Sequence, residues 1–258
     1  MQVCKLCRSG TDIKKSHAIA DSVFKRIFRV NSGKAIAFSR DEEDVYYSSD
    51  SWWDNQLCGE CEDRLNEKYE RYSLQVLRAQ KGVFNRSEHR LIFSDVNLHK
   101  LNMFLLSIFW RAANSGHVAY KNVVILDGDN EYLREALLSD RQVPISRISV
   151  KIERLIDKTR EGGFSLKQLK DIVISPFCRI YGADKTKHIS VCFVFEGFFV
   201  QVFVPGLKLK QRAAAGVIHK SQRFLSVPYL HLFDIEEVVE LMVDGYCKHA
   251  EGKSNIKI

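Results

Sequence analysis

Four cysteines in two pairs carry the clearest chemistry in the sequence. Cys4 and Cys7 stand two residues apart in "CKLC", and Cys58 and Cys61 repeat that gap in "CGEC". A two-residue gap lets both thiolates of a pair reach one ion at about 2.3 Å, and two pairs complete a tetrahedron around Zn²⁺. The second pair opens a charged segment, "CGECEDRLNEKYERY", that has helical spacing, and a helix N-terminus favours thiolates. Four thiolates close the coordination sphere, so this zinc is expected to be structural. One histidine, His17 in "KKSHAIADS", lies between the pairs. Two readings stand for it: a general base, or a buried hydrogen-bonding group beside the zinc knuckle.

The order Cys4-Lys5-Leu6-Cys7, then Ser16-His17-Ala18-Ile19, then Cys58-Gly59-Glu60-Cys61-Glu62 resembles treble-clef nucleases of the HNH type. Within them it is similar to a group of bacterial HNH-like proteins with the layout C-x-x-C, S-H-I-I-P, L-C-x-x-C-E and a later L-S-I-x-W-R helix, here Leu106-Ser107-Ile108-Phe109-Trp110-Arg111. The resemblance covers residues 1–115. It implies a metal-dependent endonuclease hydrolysing DNA phosphodiester bonds, with His17, Glu62 and Asn66 as catalytic residues. Glu62, standing where the family carries a histidine, would bind Mg²⁺ or Mn²⁺, and Ala20 replaces a frequent proline. Bacterial anti-phage defence, with a protein partner from such a system, is also what the resemblance implies. The alternative is a catalytically degenerate zinc module that binds nucleic acid or a protein. Glu62 then only complements its helix dipole.

The surrounding residues support a polyanionic partner. Lys plus Arg number 39 against 32 Asp plus Glu, a formal charge of +7. Lys14, Lys15, Lys25, Arg26 and Arg29 flank His17. Lys208, Lys210 and Arg212 begin a second acid-free run that continues through His219, Lys220 and Arg223. These are the candidate phosphate contacts. Trp52 and Trp53 can stack on bases or cover the zinc module. Cys178, Cys192 and Cys247 lie in apolar or helical settings and are expected to be inert thiols.

The elements that must hold these groups suggest an α+β protein. An N-terminal zinc treble-clef (ββα-metal, HNH-like) module, residues 1–80, is expected to be followed by a helical segment at 81–163 and a β-rich segment with a closing helix at 164–258. "NLHKLNMFLLSIFWRAANSG" puts an apolar stripe on a helix, and "HISVCFVFEGFFVQVFVPG" reads as a hairpin turning at Glu196-Gly197 with both faces apolar. Asp234 is the expected N-cap of the last helix. The N-terminus shows no signal-peptide core, and no run of about 18 apolar residues occurs. A cytoplasmic protein without a membrane span is therefore expected.

Overall fold

The structure, a computed structural model, describes residues 2–30, 32–181, 188–219 and 222–256. It is a mixed α+β chain. Strand β1 (Ile13–His17) leads into helix α1 (Asp21–Val30), followed by the short strands β2 (Ala35–Ala37) and β3 (Tyr46–Ser48) and then β4 (Trp53–Cys58). β4 pairs antiparallel with β1, setting His17 opposite Trp53 and Ile13 opposite Cys58. Helix α2 (Gly59–Leu65) starts where β4 ends. It passes through a π turn (Asn66–Glu70) into α3 (Arg71–Leu77).

The segment 81–163, expected to be helical, holds α4 (Leu98–Ala113) and α5 (Asp127–Ser139) but also three strands: β5 (Val83–Arg86), β6 (Arg90–Ser94) and β7 (Ser149–Ile156). They join β8 (Ile174–Tyr181), β9 (His188–Phe195), β10 (Phe198–Val204) and β11 (Phe224–His231) in a seven-stranded sheet of order β5-β6-β11-β7-β10-β9-β8. Only β11 and β7 run parallel. "SVKIERLI" has apolar residues at both helical and strand spacing. The strand wins because it inserts between β11 and β10 and is buried towards both faces.

β9 and β10 alternate between two cores. Val191, Phe193, Phe195, Phe198, Val200 and Val202 face the core shared with α4 and the N-terminal elements. Cys192, Val194 and Phe199 face a smaller core that also takes Leu232, Ile235 and Val238. Val238 belongs to α6 (Glu236–Ala250), whose N-cap is Ile235; the expected cap, Asp234, ends a 3-10 turn instead. α4 is buried around its whole circumference, including Met103, Phe104, Leu106 and Trp110, where a single stripe was expected. Among the described residues, no helix is long and apolar enough to cross a membrane.

Two of the contacts that bind the N-terminal elements to the rest reach the C-terminal part of the chain. The segment around Phe38–Val45 lies on α6: Lys248 Nζ donates to Ser39 O at 2.7 Å, and Gly245 leaves room for the Phe38 ring. Beyond α6, Val45 bridges Ser254. The second contact is the β9–β10 turn. Glu196 and Gly197 both have positive φ, the two-residue hairpin geometry that matches strand twist. The Glu196 carboxylate is fully buried. It accepts from Arg26 of α1 and, on its other oxygen, from Nε (3.0 Å) and Nη2 (2.6 Å) of Arg78, which follows α3. Arg154 donates to the Glu196 carbonyl at 2.9 Å, and a Cβ at Gly197 would meet that guanidinium at 2.6 Å.

Glu196→Gln would leave Arg26 and Arg78 without their shared counter-charge in a buried setting. The expected loss of unfolding free energy is about 3–5 kcal/mol, measured by urea titration of the full chain. A change within experimental error would mean that the cluster contributes nothing to holding α1 on the sheet.

Candidate metal centre and the His17 site

The knuckle at Cys4 closes on itself. Cys4 N–H donates to Gly10 O (2.8 Å), Arg8 N–H donates to Cys4 O (2.9 Å), and Gly10 N–H points at Cys7 Sγ (3.3 Å). Arg8 takes a left-handed φ of 61° to make the turn. Lys5 N–H bonds Gln56 O at 2.9 Å, pinning the knuckle to β4. The second pair sits at the β4–α2 junction, where Cys58 is the N-cap and Cys61 lies in the first turn. The four sulfurs lie within 4.8 Å of one another, and Cys7 Sγ is 3.8 Å from Cys58 Sγ. A tetrahedron with Zn–S bonds of about 2.3 Å has edges of about 3.8 Å, so the donor set fits Zn²⁺ and could hold a metal ion.

Electrostatics lead to the same conclusion. Burial pushes the Cys7 thiol up, but hydrogen bonds from Ser9 and the Gly10 backbone outweigh it and hold it at about 6. Cys58 and Cys61 are raised, by burial first; the neighbouring sulfurs push Cys61 up further. A cation bound here would compensate four thiolates and favour their ionised form.

His17 ends β1 beside this centre. Its Nε2 lies 3.0 Å from Ser51 Oγ and 3.6 Å from Asp21 Oδ1 on α1. Burial lowers its pKa below the ordinary histidine value; Asp21 opposes that shift and Arg111 adds to it. The imidazole is therefore neutral near pH 7. Arg111, on α4, is 2% exposed, not the surface guanidinium that a helix-ending arginine suggests. It lies 3.1 Å from Glu70 Oε2 and 3.9 Å from Glu62 Oε2. Glu70 and Arg111 both act on the charge of His17. Glu62 Oε1 and Arg111 Nε are buried without a hydrogen-bond partner.

Of the three expected catalytic residues, His17 contacts Ser51 and Asp21, while Glu62 faces Arg111. Asn66 is exposed. Arg111 bridges Glu62 and Glu70, which are separated by the π turn. About seven residues make two α turns, and a π turn takes in one more. Glu70, eight residues after Glu62, therefore falls on the same side of the helix. Nothing in the α-helical spacing of "ECEDRLNEKYE" pointed to that pair.

The candidate phosphate contacts divide. Lys14 pairs with Asp12 (2.7 Å), Lys25 pairs with Asp21 (2.5 Å), and Lys15 sits 4.2 Å over the Trp53 ring. Arg29, Lys208 and Lys210 are exposed. Arg26 is not a surface contact: it turns inward to Glu196 and Asp171 because the buried carboxylate requires a counter-charge. Arg212 lies against a cavity, and Lys220 lies outside the described residues. Trp52 packs edge-on to Phe24 and Tyr120, which makes it part of the core around the module. Comparisons with protein families, with curated proteins and with solved structures found no match.

Two outcomes are expected. Gly10→Ala would place a Cβ 2.6 Å from Cys58 Sγ, so zinc affinity should fall by about tenfold or more in a competitive chelator titration. Separately, a folded-state pKa below the unfolded one makes protonation of His17 oppose folding. Its contribution is present above about pH 6.5 and is lost as pH falls through the depressed folded value. Urea titrations from pH 7.5 down to pH 5 should therefore show a smaller acid-induced loss in His17→Gln than in wild type, the metal-linked part cancelling in the difference.

Proposed function

We propose that this chain is a metal-dependent, HNH-like endonuclease that hydrolyses DNA phosphodiester bonds. The metal centre would belong to a treble-clef (ββα-metal) module, with zinc in the structural position. The observation that carries the proposal is a half-buried His17, its pKa lowered, under the charges of Glu70 and Arg111, with Arg111 in turn facing Glu62. With a proton on Nε2 shared towards Asp21 and Ser51, His17 keeps its Nδ1 lone pair. That lone pair accepts a proton from water, whose oxygen attacks phosphorus as the P–O bond to the leaving sugar oxygen breaks. The unpartnered Glu62 Oε1 suits a Mg²⁺ or Mn²⁺ ion. Such an ion, when bound, supplies charge stabilisation of the leaving oxygen. Exposed Arg29 and the lysines of β1, Lys14 and Lys15, would meet the DNA backbone, giving a steep salt dependence. The setting would be the bacterial cytoplasm, in defence against phage with a protein partner.

One observation favours the second reading, a degenerate module that only binds nucleic acid or protein. The Arg111 guanidinium already answers the charge of both Glu62 and Glu70.

Cleavage of plasmid DNA by the zinc-loaded full chain, with Mg²⁺ or Mn²⁺ added, separates the two. The nuclease predicts cleavage that His17→Ala reduces by about 10²-fold or more, with zinc content and melting temperature nearly unchanged. It also predicts a rate that falls on acidification below about pH 6.5. No cleavage with either metal, together with a destabilised His17→Ala, establishes the binding module.

A further inference from the structure

Away from His17, the molecule has a cavity of about 610 Å³ beside the start of α4, a volume suited to a small-molecule ligand. Its floor is aliphatic, from the buried Leu98, Val143, Ile148 and Ile218. Its charged and ionisable lining is all basic: His99, Arg212 and His219, with no aspartate or glutamate. Asn102 and Gln142 add two amides.

The walls are held in place before any ligand arrives. Leu207 N–H bonds Ser149 Oγ at 2.8 Å and Gly206 N–H bonds Arg147 O at 2.8 Å, fixing the segment that carries Arg212. Arg212 Nε donates to Leu207 O at 2.9 Å, and among the described residues no carboxylate pairs with its guanidinium. His219 N–H bonds Gln222 Oε1 at 3.2 Å, and Gln222 in turn donates to Val217 O at 2.9 Å. His99 Nε2 lies 2.8 Å from Asp140 Oδ1, which also accepts from Tyr69 (2.7 Å). Lys68 pairs with the other Asp140 oxygen at 3.0 Å, so that carboxylate is already compensated.

An unpaired guanidinium and two imidazoles suit a phosphate. An aliphatic floor suits the flat face of a heterocycle, and side-chain amides offer the paired donor and acceptor that a base edge presents. We propose that this cavity binds a mononucleotide, with Arg212, His99 and His219 on the phosphate and the base resting on the Leu98–Ile218 floor under Asn102 and Gln142. Arg212 then belongs to a ligand site and not to a nucleic-acid track.

Calorimetric titration of the full chain with AMP, GMP, CMP and UMP tests this, with adenosine and inorganic phosphate as the two halves. At least one mononucleotide should bind with Kd below about 1 mM, and each half at least about tenfold more weakly. Arg212→Ala should weaken binding by about tenfold or more with an unchanged melting temperature. Asn102→Ala provides a second variant with the charge intact, and it should change the ranking among the four bases. The proposal is overturned if none of the four mononucleotides binds. It is overturned equally if affinity is indifferent to both variants, or if a short single-stranded oligonucleotide binds at Arg212 while mononucleotides do not.

Discussion

Four sulfur atoms gathered within 4.8 Å repel one another as thiolates and lose their solvation as thiols, and a cation held among them would relieve both costs. Much of the N-terminal architecture follows from holding them together. The knuckle must turn tightly enough to present two sulfurs, which requires the left-handed Arg8 and the absence of a side chain at Gly10. β4 must end where the helix begins, so that Cys58 caps it and Cys61 lies one turn on. Once that junction is set, pairing of β1 with β4 fixes the position of His17, and the helix axis fixes Glu62 and Glu70.

A second buried charge carries this geometry into the sheet. Glu196 lies at the tip of the central hairpin, and its two oxygens are shared between Arg26 and Arg78. α1 therefore carries Asp21, beside His17, and one turn later Arg26, bound to the hairpin. Charges desolvated in this way contribute little net stability; what they supply is a unique seating, because any shift of α1 strands a charge. α4 does the same with apolar atoms. Buried on every side, it presents a single guanidinium between two carboxylates that come from another helix.

Features that depend on short spacings were legible in the sequence. The cysteine pairs are legible because metal geometry restricts which gaps work, and the hairpin at Glu196-Gly197 because two apolar runs flank a two-residue turn. His17 was singled out by its place between the pairs. The partners of His17 were harder to see. Glu70 lies eight residues after Glu62, about 80° away around an ideal helix, and the π turn between them changes that angle. Arg111 resembles any arginine that ends an apolar helix until the glutamates facing it are known. Arg26 looked like one more surface cation because Glu196 lies 170 residues away in the chain. β7 was missed because an apolar segment buried on both faces has no single period.

The bridge between Val45 and Ser254 bears on the order of events during synthesis. A chain leaves the ribosome N-terminus first, and residues 2–61 contain everything needed to bind a metal early. Apart from Asp41, which pairs with Lys121, the stretch around Phe38–Val45 gains its partners on α6 and the residues after it, some two hundred positions later. Glu196 likewise arrives long after Arg26 and Arg78. A metal-loaded nascent chain would therefore wait with two arginines and one loop uncommitted, and the His17 site would be seated only when translation is almost finished. The early part of the chain thus carries the four sulfurs but not the Glu196 carboxylate that clamps α1, the helix beside the histidine, to the sheet.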